Sequence, residues 1–383
     1  MVSPANPPTR IDLAANSQKG EFMKITGMRC VQVEIPLDKP IRTAIHDVRS
    51  VGCVLVYLDS DADFSGEAYN FTMNGVRLDV LQAMIESFAP HVVGRDPHDV
   101  EAIWDAMWRD INFFGHKGVS IFAMSSIDTA CWDLVGKAAG QPLYKLFGAC
   151  RDSVDVYASG GLWLSLSIDE LVEEARAFLA EGFRAMKLRV GKQRIDEDVE
   201  RIAAVRDAIG PHTALMVDAN QGFTVSHAIR LGRRLEEFGL EWFEEPVPAW
   251  DLRGHAEVAA ALDTPIASGE TEYTRYGMRD MLEAKAADIL MPDLQRIGGL
   301  TEFRRAAHLA SSFDIPVSSH IFTEQSLSIA GSAGNCTYLE HMPWFESLYR
   351  EPMKLVDGRM AMPEGDGLGF TFDADAVDGL RIK

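Results

Sequence analysis

Cysteine is scarce and unpatterned in this chain, with five in 383 residues, at positions 30, 53, 131, 150 and 336. No two have metal-binding spacing and the odd count builds no disulfide framework. A zinc module and a stapled secreted scaffold are therefore excluded, and a reducing cytoplasm is the expected setting. Long apolar runs are missing as well. None approaches the roughly 18 residues that span a bilayer, so no membrane partner is expected. Positive charge is in deficit, with 37 Lys and Arg against 57 Asp and Glu and a formal net charge of −20. That balance makes nucleic acid and anionic membranes poor partners. An anionic small molecule would have to be drawn in by local cations.

What is present is an ordinary globular composition, 47% hydrophobic and 25% charged, long enough for two domains. Residues 1–22 are polar and proline-rich without the apolar core of a secretory signal, and read as a flexible leader. From 23 to 150 the pattern predicts strands in "KITGMRCVQVEIPL" and "VGCVLVYLDSD", a polar loop "DKPIRTAIHDVRS" between them, then helices. This is an α+β capping domain. From 151 to 350, eight short apolar runs alternate with amphipathic helices, the signature of a (β/α) barrel of the (β/α)7β type, short of one helix at its end. Residues 351–383 are strand-like and should return to the capping domain.

The ends of the eight runs carry ionisable or polar groups almost without interruption: Ser159, Lys187 and Arg189, Asp218 and Asn220, Glu244 and Glu245, Glu270, Asp293, His320, and Glu340 with His341. Catalytic groups of such barrels sit at the C-terminal strand ends. In "AMKLRVG", alternation puts Lys187 and Arg189 on one strand face, where they repel unless an anion lies beyond them. Asp218, Glu244 and Glu270 recur at equal intervals on successive strands, and three carboxylates at one height call for a hard cation, Mg2+, bound through oxygen alone. Asp293 and His320 end adjacent strands, the pairing that fixes the tautomer of a general base. Glu324, four residues on, is expected to reach back over the same mouth. Taken singly, each of these is compatible with a surface acid or a structural histidine; the phase they share is not.

Six ordered stretches, "MKLRVG", "MVDANQGF", "WFEEPV", "ASGET", "MPDLQRIGG" and "SSHIFTEQS", resemble the mandelate racemase subgroup of the enolase superfamily, over nearly the whole chain. The resemblance implies that Asp218, Glu244 and Glu270 bind one Mg2+, which takes the substrate carboxylate. It implies that Asp293 and His320 are the catalytic dyad, that Lys187 and a protonated Glu324 stabilise the enediolate, and that Asn220 and Ser159 contact substrate. The shared step is abstraction of the proton α to a carboxylate.

The sequence departs from the subgroup at one position. Where Lys-x-Lys usually supplies a second base, this chain has Arg189, whose guanidinium stays protonated and accepts protons poorly. One base suffices to dehydrate a 2,3-dihydroxy acid, whereas two-base racemisation needs acid–base groups on both faces. The expected activity is therefore that of an acid-sugar dehydratase forming a 2-keto-3-deoxy acid. A racemase or epimerase is the alternative, and a non-catalytic binding protein a remote one. In the polar loop, Arg42 or Arg49 would hold a distal carboxylate and His46 would contact substrate, while Trp163, Tyr69 and Phe71 would close the pocket. The partner is a small-molecule carboxylate, and a homo-oligomer, anywhere from a dimer to an octamer, is expected.

Overall fold

The computed structural model describes residues 23–382, so the expected leader, residues 1–22, lies outside the described residues. Strands β1 (Ile25–Arg42), β2 (Asp47–Ser60) and β3 (Ser65–Met73) form an antiparallel meander. The loop expected between the first two strands is mostly strand. The β1–β2 ladder runs out to Arg42 opposite Asp47, with a register shift between Pro36 and Ile41, and leaves only residues 43–46 as the turn. Polar composition marked solvent exposure there, and an exposed hairpin satisfies it as well as a loop does.

Helices Leu78–Ser87, Val100–Asp110 and Val119–Ala139 bury one face of this sheet in a core that includes Val54, Val56, Ile103, Met107 and Ile127. Helix Val119–Ala139 is buried along most of its length because it is wedged between the sheet and the second domain. Its polar groups are tied across that boundary. Thr301 donates to Asp128 through both its backbone N and its hydroxyl, Trp132 Nε1 donates to Thr301 Oγ1, and Ser125 donates to the Leu294 carbonyl.

The second domain is a closed parallel barrel of eight strands. They are β4 (Ser153–Ala158), β5 (Ala185–Arg189), β6 (Ala214–Asp218), β7 (Phe243–Glu244), β8 (Ile266–Ser268), β9 (Ile289–Leu290), β10 (Val317–Ser318) and β11 (Cys336–His341), with β11 pairing back onto β4. Helices follow the first seven strands, and a short 3-10 segment, Pro343–Leu348, follows the eighth. The lower interior is an apolar plug of Tyr157, Ala185, Met216, Trp242, Ala267, Ile289 and Met291. The first inward-facing positions above this plug are the ones free to carry chemistry.

The C-terminal segment does not run straight to the cap. Strands β12 (Leu355–Val356) and β13 (Arg359–Ala361) form a hairpin that pairs antiparallel with β4 at the bottom of the barrel. Only beyond it does the chain reach the cap, where Leu368 N donates to Asp133, Phe372 N donates to Glu67, and Arg381 bridges Val33. Among the described residues no helix is long and apolar enough to cross a membrane.

Candidate active site

On β5 the alternation is that of an inside and an outside. Met186, Leu188 and Val190 pack outward in the main core, and Lys187 and Arg189 point into the barrel, both nearly fully buried. Lys187 stands over the Tyr157 ring of the apolar plug, its Nζ 2.6 Å from Glu244 Oε1, 3.0 Å from Glu340 Oε1 and 3.7 Å from Asp218 Oδ2. Burial disfavours its charge, but those carboxylates outweigh burial and hold its pKa above the ordinary lysine value.

Arg189 is held differently. Its Nη1 donates to the Ser159 carbonyl at 2.8 Å and its Nη2 to Ser159 Oγ at 2.8 Å, while its guanidinium lies 4.3 Å over the Trp163 ring and its Nε is 3.7 Å from Asp218. The two cations share Asp218, and beyond it Lys187 is held by Glu244 and Glu340 and Arg189 by Ser159. Lysine cannot reproduce this planar clamp, so Arg189→Lys should lower turnover about tenfold or more. Steady-state rates of the two proteins check this.

The three equally spaced acids are not level. Asp218 and Glu244 are directly paired across β6 and β7, but the β8 partner of Glu244 is Ala267, and Glu270 lies past the strand after the left-handed turn at Gly269. Glu270 consequently stands nearer the mouth, its Oε2 3.3 Å from His320 Nε2. Asp218 accepts from the backbone N and the side-chain Nδ2 of Asn220, and Glu244 Oε2 accepts from Trp242 Nε1. Burial pushes Glu244 upward while Lys187 beside it pulls the other way, and burial pushes Glu245, with Glu270 near, well above the usual carboxylate range.

His320 and Asp293 are brought together as a dyad. Nδ1 lies 2.8 Å from Asp293 Oδ2, and Asp293 Oδ1 accepts the backbone N–H of Arg296. Proton placement on Nδ1 follows from that partner and leaves Nε2 facing the cavity. Burial opposes protonation of the ring, but Glu270 and the bond to Asp293 outweigh it and raise His320 to about 9.

Glu324 is a correction. Ile321 and Phe322 both adopt left-handed conformations after β10, and they redirect the helix Thr323–Ala330 away from the mouth. Glu324 is buried with both oxygens unpartnered, on a separate cavity bordered by Glu346, Tyr349 and Arg350. The carboxyl that borders the main cavity here is Glu340 on β11. It accepts from Ser159 Oγ at 2.5 Å and from Ile321 N at 2.6 Å and pairs with Lys187. Burial alone would raise its pKa, but Lys187, His320 and Ser159 hold it down to about 2. The sequence displayed Glu340 at a strand end, and that position was the signal.

These groups line a cavity of about 590 Å3, within the usual range for small-molecule sites. Lys187, Arg189, Asp218, Asn220, Glu270, His320 and Glu340 border it, with Trp163, Phe71 and the exposed His46. Arg42 is absent from this lining. It is exposed and turned toward Asp47 at 3.6 Å. Arg49 and Tyr69 do not border the cavity either; Tyr69 is buried against Phe322 and Phe345. Ser159 does not border the cavity and is bonded to Arg189 and Glu340, which do. Sequence reasoning passed over Gln295, which accepts from Phe71 N and so anchors the cap to the site, and Arg296, 3.4 Å from Asp293. Six of the non-glycine residues with positive φ, Leu162, Asn220, Gln221, Glu245, Ile321 and Phe322, follow barrel strands at this end, where backbone strain marks a functional rim.

A divalent cation suits these residues. The candidate donors Asp218, Glu244 and Glu270 are all carboxylates, the hard oxygen set that Mg2+ prefers. Asp218, Glu270 and Glu340 border the cavity and Glu244 stands against Lys187 beside them, so carboxylate oxygen predominates among the donors there. Asn220 Oδ1, buried and without a hydrogen-bond partner, adds an oxygen beside Asp218. Among the described residues no three such side chains already converge at ligand distances, because Lys187 and His320 stand between them.

Comparison with known proteins identifies the family. Residues 25–148 match the mandelate racemase/muconate lactonizing enzyme N-terminal domain, and residues 170–376 match the enolase C-terminal domain-like family. The chain is 34% identical to the L-talarate/galactarate dehydratase of Salmonella typhimurium, over 95% of this chain and 96% of that protein. It is also 34% identical to the D-galactarolactone cycloisomerase of Agrobacterium fabrum, over 94% and 99%. The structure of an L-talarate dehydratase from a Polaromonas species, complexed with Mg and L-glucarate, superposes with a TM-score of 0.88 at 33% identity, covering 94% of this chain and 98% of that one. Both domains, in their order and over nearly their full length, place this chain in the mandelate racemase/muconate lactonizing enzyme family of the enolase superfamily.

Proposed function

We propose that this protein is a Mg2+-dependent acid-sugar dehydratase, which converts a 2,3-dihydroxy acid to a 2-keto-3-deoxy acid and water. The observation that carries the reading is a one-sided base. His320, oriented by Asp293, faces the cavity, while the second basic position holds Arg189, committed to Ser159 and unable to accept a proton. The similarity to a dehydratase at 34% identity supports the same class.

Asp218, Glu244 and Glu270 would hold the metal, and a Mg2+ there supplies a Lewis acid for the substrate carboxylate. In its neutral form His320 takes the proton from C2 at Nε2, and the electron pair moves into the carboxylate as an enediolate. The buried Lys187 ammonium offsets that charge in a setting where water cannot screen it. As the pair returns, the C3–O bond breaks and His320 passes its proton to the departing hydroxide, so that water leaves. The enol tautomerises to the 2-keto acid. Glu340 keeps Lys187 and Ser159 aimed at the reacting end.

Glu244→Gln should remove activity and weaken Mg2+ binding at least tenfold while the protein stays folded, which calorimetric titration and circular dichroism would show together. Full activity in excess chelator would overturn the metal assignment. Formation of a 2-keto acid from sugar acids, without interconversion of α-epimers in deuterated water, is the direct test. Epimers without 2-keto acid would replace this reading by the epimerase one.

A further inference from the structure

The cavity is chemically two-sided. The barrel supplies a floor crowded with charge, described above. The cap supplies the opposite wall, and its side chains there include Ile45, Val76, Val80, Val119 and Phe122. Ile45 is 51% exposed, Val76 46%, Val80 54% and Val119 37%, a share of open surface unusual for residues of this type. They come from four places, the β1–β2 turn, the turn after β3, the first helix of the cap and the start of helix Val119–Ala139, and all border this cavity, Val80 and Val119 also facing a shallower surface cavity beside it. Scattered exposed aliphatics are ordinary surface, but a group converging on a ligand cavity is surface held ready for a ligand.

The same wall offers little to a second anion. Arg42 is engaged with Asp47 outside the lining, and Arg77 and His46 are the basic groups that the cap contributes among the described residues, both exposed. A carboxylate at the far end of a substrate would lose water against aliphatic side chains. A methyl group there gains from the same surroundings.

We infer that the substrate is a monocarboxylic sugar acid whose chain end, distal to the reacting carboxylate, is deoxygenated and terminates in methyl. This rests on the dehydratase reading for the reacting end and adds what the cap selects. Ile45, Val76 and Val80 are the specificity-determining residues.

The test uses hexonic acids matched at C2 to C5 and differing only at C6, as methyl, hydroxymethyl or carboxylate, across the available stereoisomers. Exchange of the C2 proton in deuterated water and 2-keto acid formation are both followed. In the preferred configuration, kcat/KM should fall about tenfold from methyl to hydroxymethyl and at least about a hundredfold to carboxylate. Val80→Lys, a change on an exposed helix face, should lower KM for the diacid and raise it for the methyl-ended acid. A diacid turned over best, with that preference lost in Arg77→Ala, overturns the inference and leaves the dehydratase reading standing. Equal rates for all three chain ends overturn it as well. No exchange with any member of the set overturns the dehydratase reading itself, and this inference with it.

Discussion

Replacing His320 with Asn should lower turnover about a thousandfold and abolish exchange of the substrate α-proton with deuterated solvent, with little change in fold. Asn keeps a polar group of similar reach toward Asp293 but has no nitrogen that can accept a proton. The expectation is severe because the cavity offers no substitute. Arg189 stays protonated, and Lys187 is held charged by three carboxylates. Asp293→Asn should do less damage than His320→Asn, since it leaves the ring in place and removes only the partner that orients it and stabilises its charge. Proton NMR of substrate in deuterated buffer reads both. Wild-type exchange in His320→Asn would mean that a group outside this dyad is the base.

Both expected effects come from one electrostatic design. The barrel's apolar plug excludes water from below, and the cap, anchored through Gln295 and the Asp128–Thr301 contacts, covers the site from above. Between them each charge is worth several times what it would be in water. Lys187 can then act as a fixed counter-charge, because Glu244 and Glu340 have already offset its loss of hydration.

The barrel was legible in the sequence because strand and helix periods alternate eight times, and the site because polar groups interrupt apolar runs always at the same end. What escaped was set by backbone geometry rather than residue type. Equal spacing suggested that Glu270 stood level with Asp218 and Glu244, yet the left-handed turn at Gly269 carries it toward His320. Arg42 looked available because its ion pair with Asp47 exists only once the hairpin extends to that point. The apolar wall was hidden for a different reason. Val80 and Val119 lie near helix starts and Val76 in the turn before the first of them, and only the docking of the cap brings all three to the border of one cavity.

The two glutamates that follow His320 should separate cleanly on substitution. Glu340→Gln should lower kcat/KM by about two orders of magnitude or more, because it releases the Lys187 ammonium and the Ser159 hydroxyl in a site where charge is unscreened. Glu324→Gln should leave turnover within about threefold of wild type, since that side chain does not border the cavity, and should act on stability. Burial, reinforced by Glu346, raises Glu324 from 4.5 to about 8. The groups around it are Tyr69 and Cys53 from the cap and Glu346, Tyr349, Arg350 and Glu351 from the segment after β11. Between pH 4.5 and 8 the folded form keeps a proton that the unfolded chain has released, so wild-type stability is full below that window and falls as pH rises through it. A shift of this size corresponds to on the order of 3 kcal/mol lost between pH 5 and pH 8. Gln cannot titrate, so the variant should lack this slope, whatever fixed cost its buried amide carries. Urea unfolding of both proteins at pH 5, 6.5 and 8, beside kcat/KM at each pH, measures both effects. A catalytic collapse in Glu324→Gln together with normal rates in Glu340→Gln would return the reacting end to Glu324. Parallel pH slopes in wild type and Glu324→Gln would show that the buried carboxyl does not hold its proton.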